Sequence, residues 1–218
     1  MQENSTHLFY FDKSFGKIII GTDEAGRGPG AGGVFAAAVH FNEVTDGLIK
    51  DLSILNDSKK LTQKKREAIY DVIKNNTINK IVCVEVQEIE RINILNASLR
   101  AMNMACSWVG ANVGVNSENI LTLVDGNKLI KNYIYPQQYI IKGDSKSASI
   151  AAASILAKVT RDRYMEKLDA EFPMYNWRKN AGYLTAEHLS AIDKYGLSPY
   201  HRPSFLKKHF SEAGNISR

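Results

Sequence analysis

The sequence predicts an α/β domain built on a mixed sheet. Three observations carry this. Short β-branched runs alternate with stretches of helical periodicity. The first two strand-like runs follow each other with no helix between them. Hydrophobic residues make up 44% of the 218, enough for a core without disulfide or metal staples.

Lys17 to Gly21 (KIIIG) reads as a buried strand. Gly32 to Val39 (GGVFAAAV) reads as a second, reached through the loop Gly26-Arg27-Gly28-Pro29-Gly30. Leu61 to Asn75 is helical: Leu61, Ile69, Val72 and Ile73 share a side opposite the lysines, and Thr62 signals the start. Ile81 to Val86 alternates as a third strand. Ile92 to Val113 carries Leu95, Leu99, Met102, Cys106 and Val109 at helical spacing. Ile120 to Val124 and Tyr139 to Ile141 are two further strands. Ser145 to Phe172 is a long helix with an Ala-rich first half, Thr185 to Tyr195 another, and Ser204 to Phe210 a last one. The expected order is β-β-α-β-α-β-β-α-α, without internal repeat, low-complexity stretch or linker.

Composition narrows the function classes. No apolar run approaches the roughly 18 residues that a membrane span needs, and the polar start (MQENS) lacks the pattern of a secretory signal. Two cysteines exclude a disulfide scaffold. Cys83 and Cys106 are expected as buried free thiols in a reducing compartment, the cytoplasm. The net charge of +5 is unevenly placed: residues 1–125 carry −2 and residues 126–218 carry +7. A basic C-terminal part fits a polyanionic partner.

Four acids stand at or just after predicted strand ends: Asp23 and Glu24 after the first strand, Asp125 after Val124, and Asp144 after Ile141. Ligands of α/β sheets collect outside strand ends. Clustered carboxylates repel one another unless a cation sits among them, and hard oxygen donors suit Mg²⁺ or Mn²⁺. Singly, each acid also fits an ordinary turn, as in Asp125-Gly126-Asn127. Asp23 and Glu24 are adjacent, so on a regular strand they point to opposite faces. Both reach one metal cluster only if the strand breaks there, which Gly26 would permit, or if one contributes a backbone carbonyl. The loop Gly26-Arg27-Gly28-Pro29-Gly30 lacks the Lys-Ser/Thr of a Walker phosphate cradle. Its glycines let the backbone approach a substrate while the Arg27 guanidinium reaches out.

These residues form a recognisable set. Thr22-Asp23-Glu24-Ala25-Gly26-Arg27-Gly28-Pro29, Asn56-Asp57-Ser58-Lys59-Lys60-Leu61, Val124-Asp125-Gly126-Asn127, Lys142-Gly143-Asp144, the run Ser149 to Asp162 (SIAAASILAKVTRD), Gly182-Tyr183 and His201-Arg202 resemble, in order, the motifs of the ribonuclease HII family. The resemblance covers roughly residues 17 to 208. The related ribonuclease HIII has lysine between the two glycines and a long N-terminal extension; Arg27 and about 16 leading residues favour type HII.

The resemblance implies a ribonuclease-H-like mixed sheet flanked by helices. The catalytic domain would span residues 17–208, with a core at about 17–172, a small C-terminal helical lobe at about 173–208, and terminal segments 1–16 and 209–218. It implies an endoribonuclease that cuts the RNA strand of RNA–DNA hybrids, and cuts 5′ of single ribonucleotides in duplex DNA, leaving a 5′-phosphomonoester. Asp23, Glu24, Asp125 and Asp144 look like the metal-binding and catalytic acids for two divalent ions, Mg²⁺ or Mn²⁺. Gly26-Arg27-Gly28 looks like the sensor of the 2′-hydroxyl, and Tyr183 like the residue that stacks on a sugar beside the cut. Asn56, Ser58 and Lys59 precede a helix, where side chains and amide groups bind phosphate together. His201-Arg202 is expected to touch the DNA strand, and Asp162 to be structural or to act on the site only through another residue. The expected partner is an RNA–DNA hybrid or ribonucleotide-bearing DNA, not a membrane, and the expected state is monomeric. The tail Ser211 to Arg218 has no paired aromatics of the kind that bind a sliding clamp. Two positions depart from the family pattern. Leu184 stands where proline is usual, which is expected to make the tyrosine loop less rigid. Gly30 replaces a larger apolar residue, which is expected to loosen the approach to the second strand. Two other readings compete: a non-catalytic nucleic-acid-binding domain, which the four acids disfavour, and an unrelated metal-dependent phosphatase.

Overall fold

The computed structural model describes residues 5–55, 61–114 and 117–215. Five strands form one mixed sheet in the order β3-β2-β1-β4-β5, with β1 at Ile18–Ala25, β2 at Val34–His40, β3 at Ile78–Val84, β4 at Ile120–Asp125 and β5 at Gln137–Ile140. The pairs β1–β2 and β2–β3 are antiparallel, whereas β1–β4 and β4–β5 are parallel. The expected mixed sheet is therefore present, with Thr22 of β1 opposite Val124 of β4.

Each face is covered by one principal helix. On one side Val34, Ala36 and Ala38 of β2 pack with α5 (Ile94–Asn112), through Ala97, Ala101, Met102, Ala105 and Val109. On the other, Ala37 and Val39 pack with α6 (Ala148–Glu171), whose first half is a run of fully buried alanines, and with α3 (Gln63–Asn75). Period-two alternation thus divides the apolar run Val34 to Val39 between two cores. Small residues let α6 lie close on the sheet. A Cβ on Gly21 would fall 2.2 Å from the Ser149 carbonyl carbon and 2.3 Å from the Ile150 nitrogen, so only glycine admits the helix there.

Several elements differ from expectation. Residues 1–16 are expected as a terminal segment with no predicted element, yet Thr6–Ser14 form α1, which buries Leu8 and Phe9 in the α6-side core; Asp12 there accepts from the Ser149 amide at 2.8 Å, near the start of α6. Asp46–Asp51 form a short α2, capped by Thr45. The helix expected over 92–113 is α5 (Ile94–Asn112), and a further helix that was not expected, α4 at Val86–Ile92, precedes it, parted from it by Asn93 at φ 66°. Asparagine tolerates that conformation, and its side chain caps α5 by accepting from the Asn96 amide. The β3 strand starts earlier and ends sooner than read, because edge residues Ile78 to Lys80 pair with β2 despite weak alternation.

Beyond α6 a small lobe follows: α7 (Trp177–Asn180), α8 (Ala186–Tyr195) and α9 (Lys207–Asn215). Its core joins Tyr175, Trp177, Ile192 and Leu206 to Met165 and Leu168 of α6, and also to Ala31, which lies between β1 and β2. The lobe is thereby fastened to the glycine-rich loop. Both cysteines are free. Cys106 is buried, as expected, and burial pushes its thiol up to about 12; Cys83 is only half-buried, because it lies on edge strand β3.

Candidate active site at the sheet end

Register places the acids. Asp23 lies one residue beyond Thr22, the partner of Val124, and Asp125 lies one beyond Val124, so the parallel β1–β4 pairing sets the two carboxylates side by side. Asp23 is buried. Its Oδ1 accepts from the Glu24 amide at 2.7 Å, and Ser154 of α6 also bonds it. Burial, and then the negative charges of Glu24 and Asp125, hold its carboxyl well above the usual carboxylate range. Asp125 Oδ1 accepts from the Gly143 amide at 2.6 Å, which ties the end of β4 to the turn that carries buried Asp144.

The strand does not break between Asp23 and Glu24. β1 pairs with β2 as far as Ala25 opposite Phe35, and the chain turns only at Gly26, φ 101°. Asp23 meets Ser154 of α6, whereas Glu24 lines a small cleft on the α5 side with Leu95, Ser98, Met102 and Asp125, and pairs with Arg27 at 3.2 Å. The break, one of the two conditions that sequence sets for both side chains to reach one cluster, is absent, and the two carboxylates lie toward opposite faces, close enough for Glu24 to raise Asp23.

The acid set fits a hard divalent cation in its chemistry: oxygen donors from separate elements, with Asp23 held against ionisation by its neighbours. The individual oxygens are engaged with amides and Arg27. Among the described residues, no three His, Cys, Asp or Glu side chains close into a coordination shell as they stand.

The loop after β1 makes the second half of the site. Arg27 is half exposed and Gly28 exposed. A Cβ on Gly28 would stand 3.3 Å from Cε1 of Tyr183, so the exposed Tyr183 ring lies beside the loop at the loop-to-helix corner before α8. The Tyr183 backbone is held by three bonds: its amide donates to Asn180 O at 2.9 Å, and its carbonyl accepts from the Thr185 amide at 2.9 Å and bonds His188 Nδ1 at 2.9 Å. Asn56, Ser58 and Lys59 lie outside the described residues.

Two arginines hold this arrangement, and neither is at the surface. Arg202 was expected to touch DNA, but it is fully buried. It donates to Gly32 O from Nε at 2.9 Å and Nη2 at 2.6 Å, and to Pro29 O from Nη1 at 2.8 Å. Its neighbour His201 is buried too. Arg161 of α6, absent from the candidate residues, donates to Ala31 O and Ala181 O at 3.0 Å and to Gly33 O at 3.3 Å. Gly26 makes room for it, since a Cβ there would lie 2.2 Å from Arg161 Nε. Burial pushes both guanidinium groups down, and burial together with Arg161 brings Arg202 to about 9. A glycine-rich loop outside the ladder leaves carbonyls that must find donors. That need was the available signal, but it does not say which arginine answers it.

Asp162 pairs with Lys158 at 2.6 Å and Arg66 at 3.5 Å, as its expected structural role requires.

Comparison with known proteins places this geometry. The family model described as Ribonuclease HII matches residues 20–213. Ribonuclease HII of Rickettsia akari is 48% identical over 202 residues, covering 91% of this chain and 96% of that protein. Ribonuclease HII of Fusobacterium nucleatum is 48% identical over 202 residues, covering 92% and 91%. Among solved structures, ribonuclease H2 of Pyrococcus horikoshii superposes with a TM-score of 0.63 at 25% identity, over 85% of this chain and 92% of that one.

Proposed function

The chain belongs to the ribonuclease HII family and is an endoribonuclease, and on that premise we propose that it cuts the RNA strand of RNA–DNA hybrids and, in duplex DNA, cuts 5′ of a single embedded ribonucleotide. The observation that supports the finer reading is the exposed Tyr183 ring beside Gly28, on the loop whose Arg27 pairs with Glu24 at the acidic strand end.

The groove side of that loop presents exposed Gly28 and the Arg27 guanidinium, which suits a hydrogen bond to a 2′-hydroxyl. The Tyr183 ring packs on a deoxyribose and is hindered by an added hydroxyl. A sugar with a 2′-OH on one side and one without on the other is then the preferred pair. Asp23, Glu24, Asp125 and Asp144 would hold two divalent ions, Mg²⁺ or Mn²⁺, which supply positive charge at the attacking water and at the departing 3′-oxygen. The protein's part is to hold those carboxylates: Ser154 and the Glu24 amide orient Asp23, and the Gly143 amide orients Asp125. Lys59, with Asn56 and Ser58, would grip the phosphate backbone, and the protein would act as a monomer.

The test uses two labelled duplexes, one with a single ribonucleotide and one uniform hybrid, with the cut position mapped. Tyr183→Ala should lower cleavage of the first far more than of the second, with little change in unfolding temperature because the Tyr183 backbone bonds persist. Equal losses on both duplexes would remove Tyr183 as the junction reader.

A further inference from the structure

Gly30 and Leu184 are in contact. The Gly30 amide donates to Gly182 O at 2.9 Å, and its carbonyl accepts from the Arg202 amide at 2.8 Å, so both its backbone groups face the lobe. A Cβ on Gly30 would fall 2.6 Å from both Cγ and Cδ2 of Leu184 and 2.9 Å from Cδ1. Leu184 as it stands does not admit that Cβ: its whole branch, Cγ included, would have to shift. The Leu184 side chain therefore occupies the notch that the missing side chain leaves, while it also packs on the lobe core. Two residues earlier on the loop and one residue earlier on the lobe, Gly28 meets Tyr183. The two contacts run side by side: 28 on 183, and 30 on 184.

We propose that the Gly30–Leu184 contact positions Tyr183, fixing how far its ring stands from the Arg27 loop and thereby how strongly the enzyme prefers a ribonucleotide–DNA junction to a uniform hybrid. The proposal rests on the reading of Tyr183 given above. Leu184 touches no reacting atom in it; it is a positioning residue that acts through its neighbour. Rigidity of the corner, which a leucine alone would not supply, comes from filling the glycine notch and from the Gly30–Gly182 hydrogen bond.

A double-variant cycle tests it. Gly30 is not in the left-handed region, so alanine there meets the leucine clash without backbone strain. Gly30→Ala should displace the corner and lower kcat on the single-ribonucleotide duplex by about tenfold or more, with a smaller loss on the uniform hybrid, since sub-ångström misplacement is costly where geometry is critical. Leu184→Ala should empty the notch and erode the same preference. In Gly30→Ala/Leu184→Ala the new methyl meets no Leu184 branch, and the junction preference should return to within about threefold of the parent, the non-additivity expected of touching residues. A double variant no more selective than Gly30→Ala, or losses equal on the two duplexes, would overturn the proposal. Should Gly30→Ala not fold, a folded double variant supports the contact, and Leu184→Ala alone decides the selectivity: an unchanged substrate ratio there sinks it. Tyr183→Ala in the same assay separates the two claims. If that variant keeps the preference, the reading of Tyr183 has failed; if it loses the preference and the double variant is not restored, only the positioning role has.

Discussion

The two halves of the site are held by different physics. The acidic half is set by neighbours in the sheet: strand pairing puts Asp23 beside Asp125, and the amides of Glu24 and Gly143 fix their oxygens. The loop half has only one isolated bridge, Ala31 opposite His201, in place of a ladder. Its carbonyls at Pro29, Ala31, Gly32 and Gly33 are satisfied by guanidinium groups from Arg161 and Arg202, far along the chain. The acidic half concentrates one sign of charge and strains against it, which suits cation binding. The loop half buries two positive charges against neutral carbonyl dipoles, which suits rigidity. A change in the first should therefore strike chemistry and spare the fold, and a change in the second should strike both.

The largest expected effect is Asp125→Asn. The amide oxygen still accepts from Gly143, so the fold is kept, while a charge and part of the ligand capacity are lost. Cleavage should fall by roughly two orders of magnitude or more, on the scale of other lost electrostatic contributors, with hybrid binding largely retained. A variant cutting at near-parent rate in Mg²⁺ would take Asp125 out of the chemistry and blur the contrast between the halves.

Arg202→Met comes next. It leaves Gly32 O and Pro29 O without donors in the interior, at about 1–3 kcal/mol for each. Denaturant titration should show a loss of several kcal/mol, and cleavage should fall with it. Arg202→Lys keeps the charge but cannot reproduce the fork, so it should recover only part of the stability. Full recovery by lysine would mean that charge, not the set of carbonyl bonds, fastens the loop.

Acid should attack the loop half selectively. His201 Nδ1 accepts from the Ser198 amide at 2.9 Å, and its Nε2 faces His188 Nε2 at 3.1 Å, where Trp177 Nε1 also donates at 3.0 Å. Burial, and then His188, bring His201 down to about 4, and burial pulls His188 in the same direction. The unfolded chain takes up the proton near 6.5 and the folded one only near 4. The contribution of His201 is therefore whole above pH 6.5, declines as pH falls, and is lost below 4, a loss of up to roughly 3 kcal/mol. Unfolding followed by tryptophan fluorescence at pH 7.5, 5.5 and 4.5 should reveal this, with Trp177 as the buried reporter. A flat profile over that range would show that the lobe tolerates a charged imidazole.

The smallest effect is expected for Asp162→Asn, an acid within motif range of the site but outside its chemistry. Losing its pairs with Lys158 and Arg66 should cost on the order of 1 kcal/mol and leave the cleavage rate and metal dependence unchanged. A large rate loss at normal stability would extend the acidic half into α6.

Much of this protein was fixed by local sequence. The alternation of apolar strands and helices gave the mixed sheet. The acids at strand ends gave the candidate metal site. The alanine run of α6 and Gly21 encode a helix pressed on the sheet, and Asn93, although read through as helix, carries the capping chemistry that divides α4 from α5. What tertiary structure decided was everything that depends on partners distant in sequence. α1 carried no predicted element in sequence, and its place is decided by what Leu8, Phe9 and Asp12 meet in the fold. Asp23 and Glu24 turn to opposite faces of an unbroken strand, and only the fold shows that Glu24 shares its cleft with Asp125. Arg202 read as a contact to DNA and Arg161 carried no assigned role, because sequence does not show which guanidinium is buried against loop carbonyls. Gly30 and Leu184 looked like two separate weaknesses; in the fold Leu184 occupies the space that Gly30 leaves. Patterns with a period of two or four residues are written in the chain, whereas a fit between residues 30 and 184 exists only once the chain has closed.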